Sequence, residues 1–148
     1  MAKKVFDNKG TALVEFSLVA ILLLVLAFGI IEMGFLMKDY LTLNQAAREG
    51  SRSAALGWTT TLITQRVQSA AVGMTIPSSN IHLLKWPEDS TPPTDWSSWQ
   101  TLGDGATYND ATAGDHVRIH IEYQHQWVTK LIESSPVTIK ADMVMRRE

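Results

Sequence analysis

The distribution of apolar residues divides the chain into two unequal parts. No charged residue occurs in residues 16–31, and extending this segment back to Thr11 adds one charge, Glu15. A helix over residues 11–31 is about 31 Å long, which matches the hydrocarbon core of a bilayer. Its apolar side chains favour insertion by about 4–8 kcal/mol in total, more than one acid near its end costs. The pattern predicts a transmembrane helix at 11–31.

Helical periodicity continues beyond this segment. Apolar residues recur at roughly 3.6-residue spacing as far as Leu56. We therefore predict one long helix, with residues 32–57 as its continuation outside the membrane and Gly57 as its C-terminal glycine. A seam of small residues, which suits packing on a sheet or on another subunit, recurs every four positions along the outer half. Its members are Ala46, Gly50 and Ala54.

The remaining residues, 58–148, predict a small α+β domain. Threonine hydroxyls at 59–61 offer N-caps for a second helix, and Ile81 and Leu83 indicate a short strand. Alternation at 117–123 and 137–143 predicts two strands that pair antiparallel across a turn near Glu133 to Pro136. Residues 87–115, rich in Pro and Gly, predict a long exposed loop. The fold class is thus membrane-anchored α+β, with two helices and a small antiparallel sheet.

Composition narrows the functions that this architecture can carry. The chain has 148 residues, a net charge of -2 and no cysteine. The absence of cysteine excludes disulfides, a thiol nucleophile and cysteine-ligated metal sites. The near-neutral charge argues against nucleic-acid binding, which needs a basic face.

The charges that flank the apolar segment predict its orientation. The basic residues before it are Lys3, Lys4 and Lys9. They outnumber Asp7, so the positive-inside rule places residues 1–10 in the cytoplasm and everything after Ile31 outside. A secretory signal peptide is the alternative, but its apolar region would be shorter and would precede a small-x-small cleavage site.

Glu15 is the most informative residue of the segment, because an acid within a membrane span needs a cation at similar depth. Cleavage of the chain after Gly10 would create such a cation, because Thr11 would then carry a free amino group. The Thr11 amino group of a neighbouring subunit could neutralise Glu15. The alternative is an ordinary anchor helix that begins one turn later, at Phe16, with Glu15 reaching the interface.

Residues 9 to about 55 carry several motifs in register. They read Gly-Thr-Ala-Leu-Val-Glu-Phe-Ser-Leu-Val at 10–19, Gly-Ile-Ile-Glu-Met-Gly at 29–34 and Ala-Ala-Arg-Glu-Gly-Ser-Arg at 46–52. A basic leader that ends in Gly, four residues, a Glu and a long apolar helix resemble the prepilin peptidase pattern of type IV pilins and pseudopilins. More narrowly, the motifs resemble the TadE-like family of pilus-assembly pseudopilins, and the run 137–148 is similar to how its members end.

This resemblance implies a pilin-like fold and a role as a minor pilin or pseudopilin of a Tad-type (tight adherence) pilus. It implies cleavage by a prepilin peptidase between Gly10 and Thr11, and a role for Glu15 in subunit registration. The implied partners are the membrane, the peptidase, other pilin subunits and the assembly machinery, at the cytoplasmic membrane or in a cell-surface pilus. The chain departs from the family at Ala20 and Ile21, where many members have a proline, which leaves a helix kink open.

The residues do not predict an active site. His116 and His120 lie about 13 Å apart on one strand face, too far for one zinc ion, and with His125 they are expected to be solvated. Four residues of the loop offer oxygen ligands, but their spacing does not match a calcium-binding loop. They are Asp104, Asn109, Asp110 and Asp115. With no nucleotide-binding or hydrolase motif, we expect a non-enzymatic protein without metal or cofactor. A separate ATPase would then supply the energy to move the protein from the membrane into a filament.

The aromatic residues in and next to the long loop leave a second function open. They are Trp86, Trp96, Trp99 and Tyr108. They either form an exposed surface that contacts a subunit, a glycan or a membrane, or cover the small core. An anchored extracytoplasmic binding domain is therefore the alternative to a pilin. Such a domain needs no cleavage after Gly10 and tolerates Glu15→Ala.

Overall fold

The computed structural model describes residues 8–129 and 135–148, with only the backbone of residues 8 and 9. Most of the predicted leader, 1–10, lies outside the described residues, including Lys3, Lys4 and the side chain of Lys9. Part of the predicted turn near Glu133 to Pro136 also lies outside them.

Helix α1 runs unbroken over Asn8–Ala55, a length of 48 residues. It ends in a reverse turn in which Gly57 has a φ of 85°. The N–H of Gly57 donates to the carbonyl of Ala54 at 2.9 Å, and the N–H of Trp58 donates to that of Ser53 at 3.1 Å. Glycine adopts this left-handed conformation without a Cβ clash. The predicted C-terminal glycine is therefore confirmed.

Helix α2, Thr60–Ala70, buries Ile63 and Val67. The predicted hydroxyl cap is wrong, because the Thr59 side chain makes no capping hydrogen bond. Asp104 of the long loop instead accepts hydrogen bonds from the N–H and the Oγ1 of Thr60, both at 2.6 Å. Its carboxylate also faces the positive end of the helix dipole. The loop, and not the local sequence, caps this helix.

The sheet has four antiparallel strands in the order β2-β1-β3-β4. Their bounds are Ile81–Trp86 for β1, Gln100–Thr101 for β2, His116–His125 for β3 and Val137–Arg146 for β4. The two predicted long strands pair antiparallel, from His116 opposite Arg146 to His125 opposite Val137. The long loop is not wholly irregular, since it contains β2 and a 3-10 turn at Trp96–Ser98. Neither has a periodic pattern that predicts it.

The outer half of α1 lies with α2 on one face of this sheet. The fully buried apolar residues at the contact include Leu43, Ala47, Ile63, Val67, Val117, Ile119 and Ile121. Gly50 allows the closest approach, because a Cβ there would overlap Cγ2 of Val67 and meet Ile119 at 3.5 Å. The buried Ser51 hydroxyl donates to the carbonyl of Met143 at 3.0 Å and ties α1 to β4. The predicted α+β class is confirmed.

Gly50→Val should lower the free energy of unfolding of the domain by about 1–3 kcal/mol, because the added side chain overpacks the contact. Gly34→Val is the matched control, since it makes the same change in helix propensity where a Cβ would meet nothing within 4 Å. All five tryptophans lie after residue 57, so urea unfolding followed by their fluorescence in detergent micelles reports on the domain. Equal effects of the two variants would contradict the packing argument.

Candidate functional site

The first half of α1 is not covered by the described remainder of the chain. Its exposed large apolar residues are Leu13, Val14, Phe16, Leu18, Val19, Ile21, Leu22, Leu23, Leu24, Val25, Leu26, Phe28, Ile30 and Ile31. Among the described residues, one helix is long and apolar enough to cross a membrane, and its most apolar window is wholly unburied. A continuous apolar surface of this extent marks contact with lipid or with other helices.

Gly10, Thr11 and Glu15 lie on the exposed first turns of α1. A Cβ at Gly10 would meet no atom within 4 Å, so no described residue shields the bond between Gly10 and Thr11. The first buried residue of α1 is Glu32, which lies about 25 Å beyond Glu15 along the helix axis. No described residue of the folded domain therefore reaches Glu15.

The seam of small residues packs within the protein itself. Ala46 and Ala54 are fully buried, and Gly50 is buried against α2 and β3. Of the two partners that the sequence leaves open for the seam, the structure places the protein's own domain there. The seam is therefore not available to other molecules, whereas the apolar first half of α1 is exposed.

Two acids of α1 that follow the apolar segment turn toward the domain. Glu32 is 0% exposed and accepts hydrogen bonds from the backbone N–H groups of Val128 and Thr129. Asp39 accepts a hydrogen bond from Nδ1 of His125 at 2.8 Å. Buried acids are stable only when such partners satisfy them. Both acids therefore join the inner end of the domain to α1.

The spacing of these acids holds a signal for their burial. Glu32 and Asp39 are two helical turns apart and continue the buried stripe that passes through Leu43, Ala46 and Gly50. Acids on the apolar stripe of an amphipathic helix indicate buried polar contacts. Their partners are not evident from the sequence, because those lie more than 80 residues away, at positions 125–129.

The second face of the sheet carries a polar cluster that the sequence analysis placed in water. His120 is 1% exposed, with Nδ1 2.8 Å from the Asp142 carboxylate and Nε2 3.3 Å from that of Glu122. Arg118 is 9% exposed and donates from Nε to Asp142 at 2.6 Å. His125 is also buried, against α1. The prediction of solvated histidines is therefore wrong for His120 and His125, and His116 is half-buried.

The cause of this burial is the long loop. Trp96 stacks on His120 with ring centroids 4.4 Å apart, and the guanidinium carbon of Arg118 lies 5.2 Å from the ring centroid of Trp99. Trp99 is buried, and its indole N–H donates to the carbonyl of Pro93 at 2.9 Å. The tryptophans thus cover the sheet instead of forming one exposed aromatic surface. Only Tyr108 of the predicted set is strongly exposed.

The loop residues considered as calcium ligands each have a structural role. Asp104 caps α2, Asp110 pairs with Lys85 at 2.8 Å, and Asp115 accepts from the N–H of Thr112. Asn109 donates to the carbonyl of Ala54, in the last turn of α1, and to that of Trp58, just beyond it. Within residues 8–129 and 135–148, no group of three or more His, Asp or Glu side chains is placed to hold a metal ion.

The ion pair between Arg118 and Asp142 makes the stability of the folded domain depend on pH. Burial raises the pKa of Asp142, but hydrogen bonds from Arg118 and His120 outweigh it and hold the pKa below the usual 3.8. The unfolded state therefore binds this proton first as the pH falls, so the pair stabilises the fold above about pH 3.8 and less below it.

Asp142→Asn should therefore lower the free energy of unfolding of the domain most near neutral pH. The difference in this free energy between the variant and the natural protein should shrink as the pH falls below about 3.8. Urea unfolding of both proteins at about pH 7 and about pH 3 measures this difference. A difference that stays constant between the two pH values would contradict the assignment of the pair.

Comparison with known proteins identifies one segment. Residues 10–52 match the family model described as TadE-like protein. No curated protein and no solved structure gives a significant match to the chain. The matched residues carry the motifs quoted above and make up nearly all of α1. The segment of the long helix from the exposed Gly10 to Arg52 is thus similar to TadE-like proteins.

Proposed function

We propose that this protein is a non-enzymatic minor pilin or pseudopilin of a Tad-type pilus, made as a single-pass membrane protein and cleaved after Gly10. The observation that carries the proposal is the apolar half of α1. It is TadE-like in sequence, exposed along its whole length and rigidly continuous with a helix on which a small domain is folded. An anchored binding domain uses such a surface only in the membrane, whereas a pilin uses it twice.

The two uses are the membrane and the filament. In the membrane, residues 11–31 span the hydrocarbon core. In a filament, the same side chains exchange lipid contacts for contacts with neighbouring helices, so little apolar surface meets water at either stage. The domain travels with the helix because its core is built on residues 43–55 of α1.

Glu15 supplies the registration between subunits. Cleavage leaves an amino group on Thr11, one turn from Glu15 along the helix. An unpaired carboxylate in an apolar environment is costly, and a neighbour's ammonium group relieves that cost only at one axial offset. A separate ATPase supplies the energy that moves the subunit from the membrane into the filament, since the sequence has no nucleotide-binding motif.

Processing is the first test. The protein isolated from membranes of its native host should begin at Thr11 when the prepilin peptidase is active and at residue 1 or 2 when it is inactivated. Intact mass and N-terminal sequencing distinguish these forms. An uncut chain in the presence of the active peptidase would exclude the pilin mechanism and favour an anchored extracytoplasmic binding domain.

Glu15→Gln should leave membrane insertion and cleavage intact but deplete the protein from the sheared pilus fraction, because the neighbour's ammonium group loses its counter-charge. Glu49→Gln is the matched control on the same helix. It breaks only a surface pair with Arg66, whose contribution to stability is small. Quantitative immunoblots of membrane and pilus fractions measure the ratio, and equal ratios for both variants would refute the role of Glu15.

A further inference from the structure

The residues that follow β3 run back along α1 toward its apolar half. His125, at the end of β3, is bonded to Asp39, whereas Val128 and Thr129 are bonded to Glu32. Glu32 lies about 10 Å nearer the N-terminus of α1 than Asp39. Residues 126–129 therefore descend two helical turns and end beside the first residue after the apolar segment.

This path fixes the height of the segment above a membrane. If residues 11–31 fill the hydrocarbon core, as in the proposed function, Glu32 lies about 1.5 Å beyond its boundary. The polar layer outside the core is about 5–7 Å thick on each side. Because α1 is unbroken through this region, it offers no joint at which the domain can tilt away. The hydrogen bond from the backbone N–H of Val128 to the Glu32 carboxylate therefore holds Val128 in that layer.

The side chains of the segment suit this layer. Val128 is 63% exposed despite being apolar. Trp127 is half-buried, stands edge-on to His125 at a centroid distance of 5.5 Å, and donates its indole N–H to the carbonyl of Ser135 at 2.8 Å. Tryptophan is enriched where a membrane meets water, because its ring is largely apolar and its polar edge needs a partner.

Glu32 gains from the same arrangement. A free carboxylate at the edge of the hydrocarbon core is unfavourable, yet this one is fully buried and bonded to two backbone N–H groups. The segment thus screens the acid from lipid while presenting Val128 outward. We propose that residues 126–129 form a second membrane contact, in which Val128 and the ring of Trp127 insert among the lipid headgroups beside α1.

The absence of cysteine from the chain allows a direct test. Val128→Cys carries a single environment-sensitive fluorophore, and the full-length protein is reconstituted in vesicles of phosphatidylcholine and phosphatidylglycerol. Val144→Cys is the matched control, since Val144 is also exposed and lies in β4 next to the residue bonded to Ser51. Ser51 is about 28 Å beyond Glu32 along α1. Lipids brominated near the headgroup quench only fluorophores at the membrane surface.

The proposal predicts that the Val128→Cys label loses emission in brominated vesicles and that the Val144→Cys label keeps it. An unquenched Val128→Cys label in protein that floats with the vesicles and resists carbonate extraction would overturn the contact but leave the membrane span intact. Quenching of both labels would also overturn it, because the domain would then lie flat on the lipid. Protein that fails to float would refute both span and contact. Shielding of the Val128→Cys label only when other pilin subunits are added would assign the surface to a subunit instead.

Discussion

The close contact between α1 and the layer formed by α2 and β3 is the interaction on which the rest of the molecule depends. At Gly50 the backbone of α1 meets Val67 of α2 and Ile119 of β3, with no room for a side chain. Ala46 and Ala54 keep the same face narrow one turn before and one turn after it. Apolar burial on this face holds the sheet on the outer half of the helix, while the inner half stays bare. The division of one helix between two environments follows from this single stripe of small residues.

Polar contacts at the two ends of the stripe fix how the domain is seated. At the inner end, Glu32 and Asp39 bind residues that follow and end β3. At the outer end, Asn109 and Arg147 donate to carbonyls of Ala54 and Ala55, where the negative end of the helix dipole favours a cation. Apolar packing alone tolerates small rotations, but directed hydrogen bonds at both ends of a rigid helix do not. The domain therefore has one orientation relative to the apolar half.

The sequence predicts those features that depend on local periodicity. Alternation along β3 correctly predicts that Val117, Ile119 and Ile121 share the buried face, because helix packing removes that face from water. The same alternation assigns His120 to solvent, since it contains no information about which distant loop covers the second face. The sequence around α2 likewise does not show that Asp104 of the long loop caps this helix. Such contacts arise from tertiary placement, and a single sequence gives no pairing signal for them. Of the candidate site, the motif around Gly10 and Glu15 is readable from the sequence, whereas the burial of Glu32 is only hinted at by its spacing.

The guanidinium of Arg147 and the N–H of Glu148 both donate to the carbonyl of Ala55, at 3.0 and 3.2 Å. Ala55 is synthesised 92 residues before Arg147, and β4, which completes the sheet against β3, is made only shortly before that arginine. Contacts between residues so far apart in sequence form slowly and late in folding. A nascent chain thus presents its apolar helix to the membrane long before the domain on the same helix can close. The order of synthesis therefore makes the apolar helix available for membrane insertion before the residues that complete the domain exist.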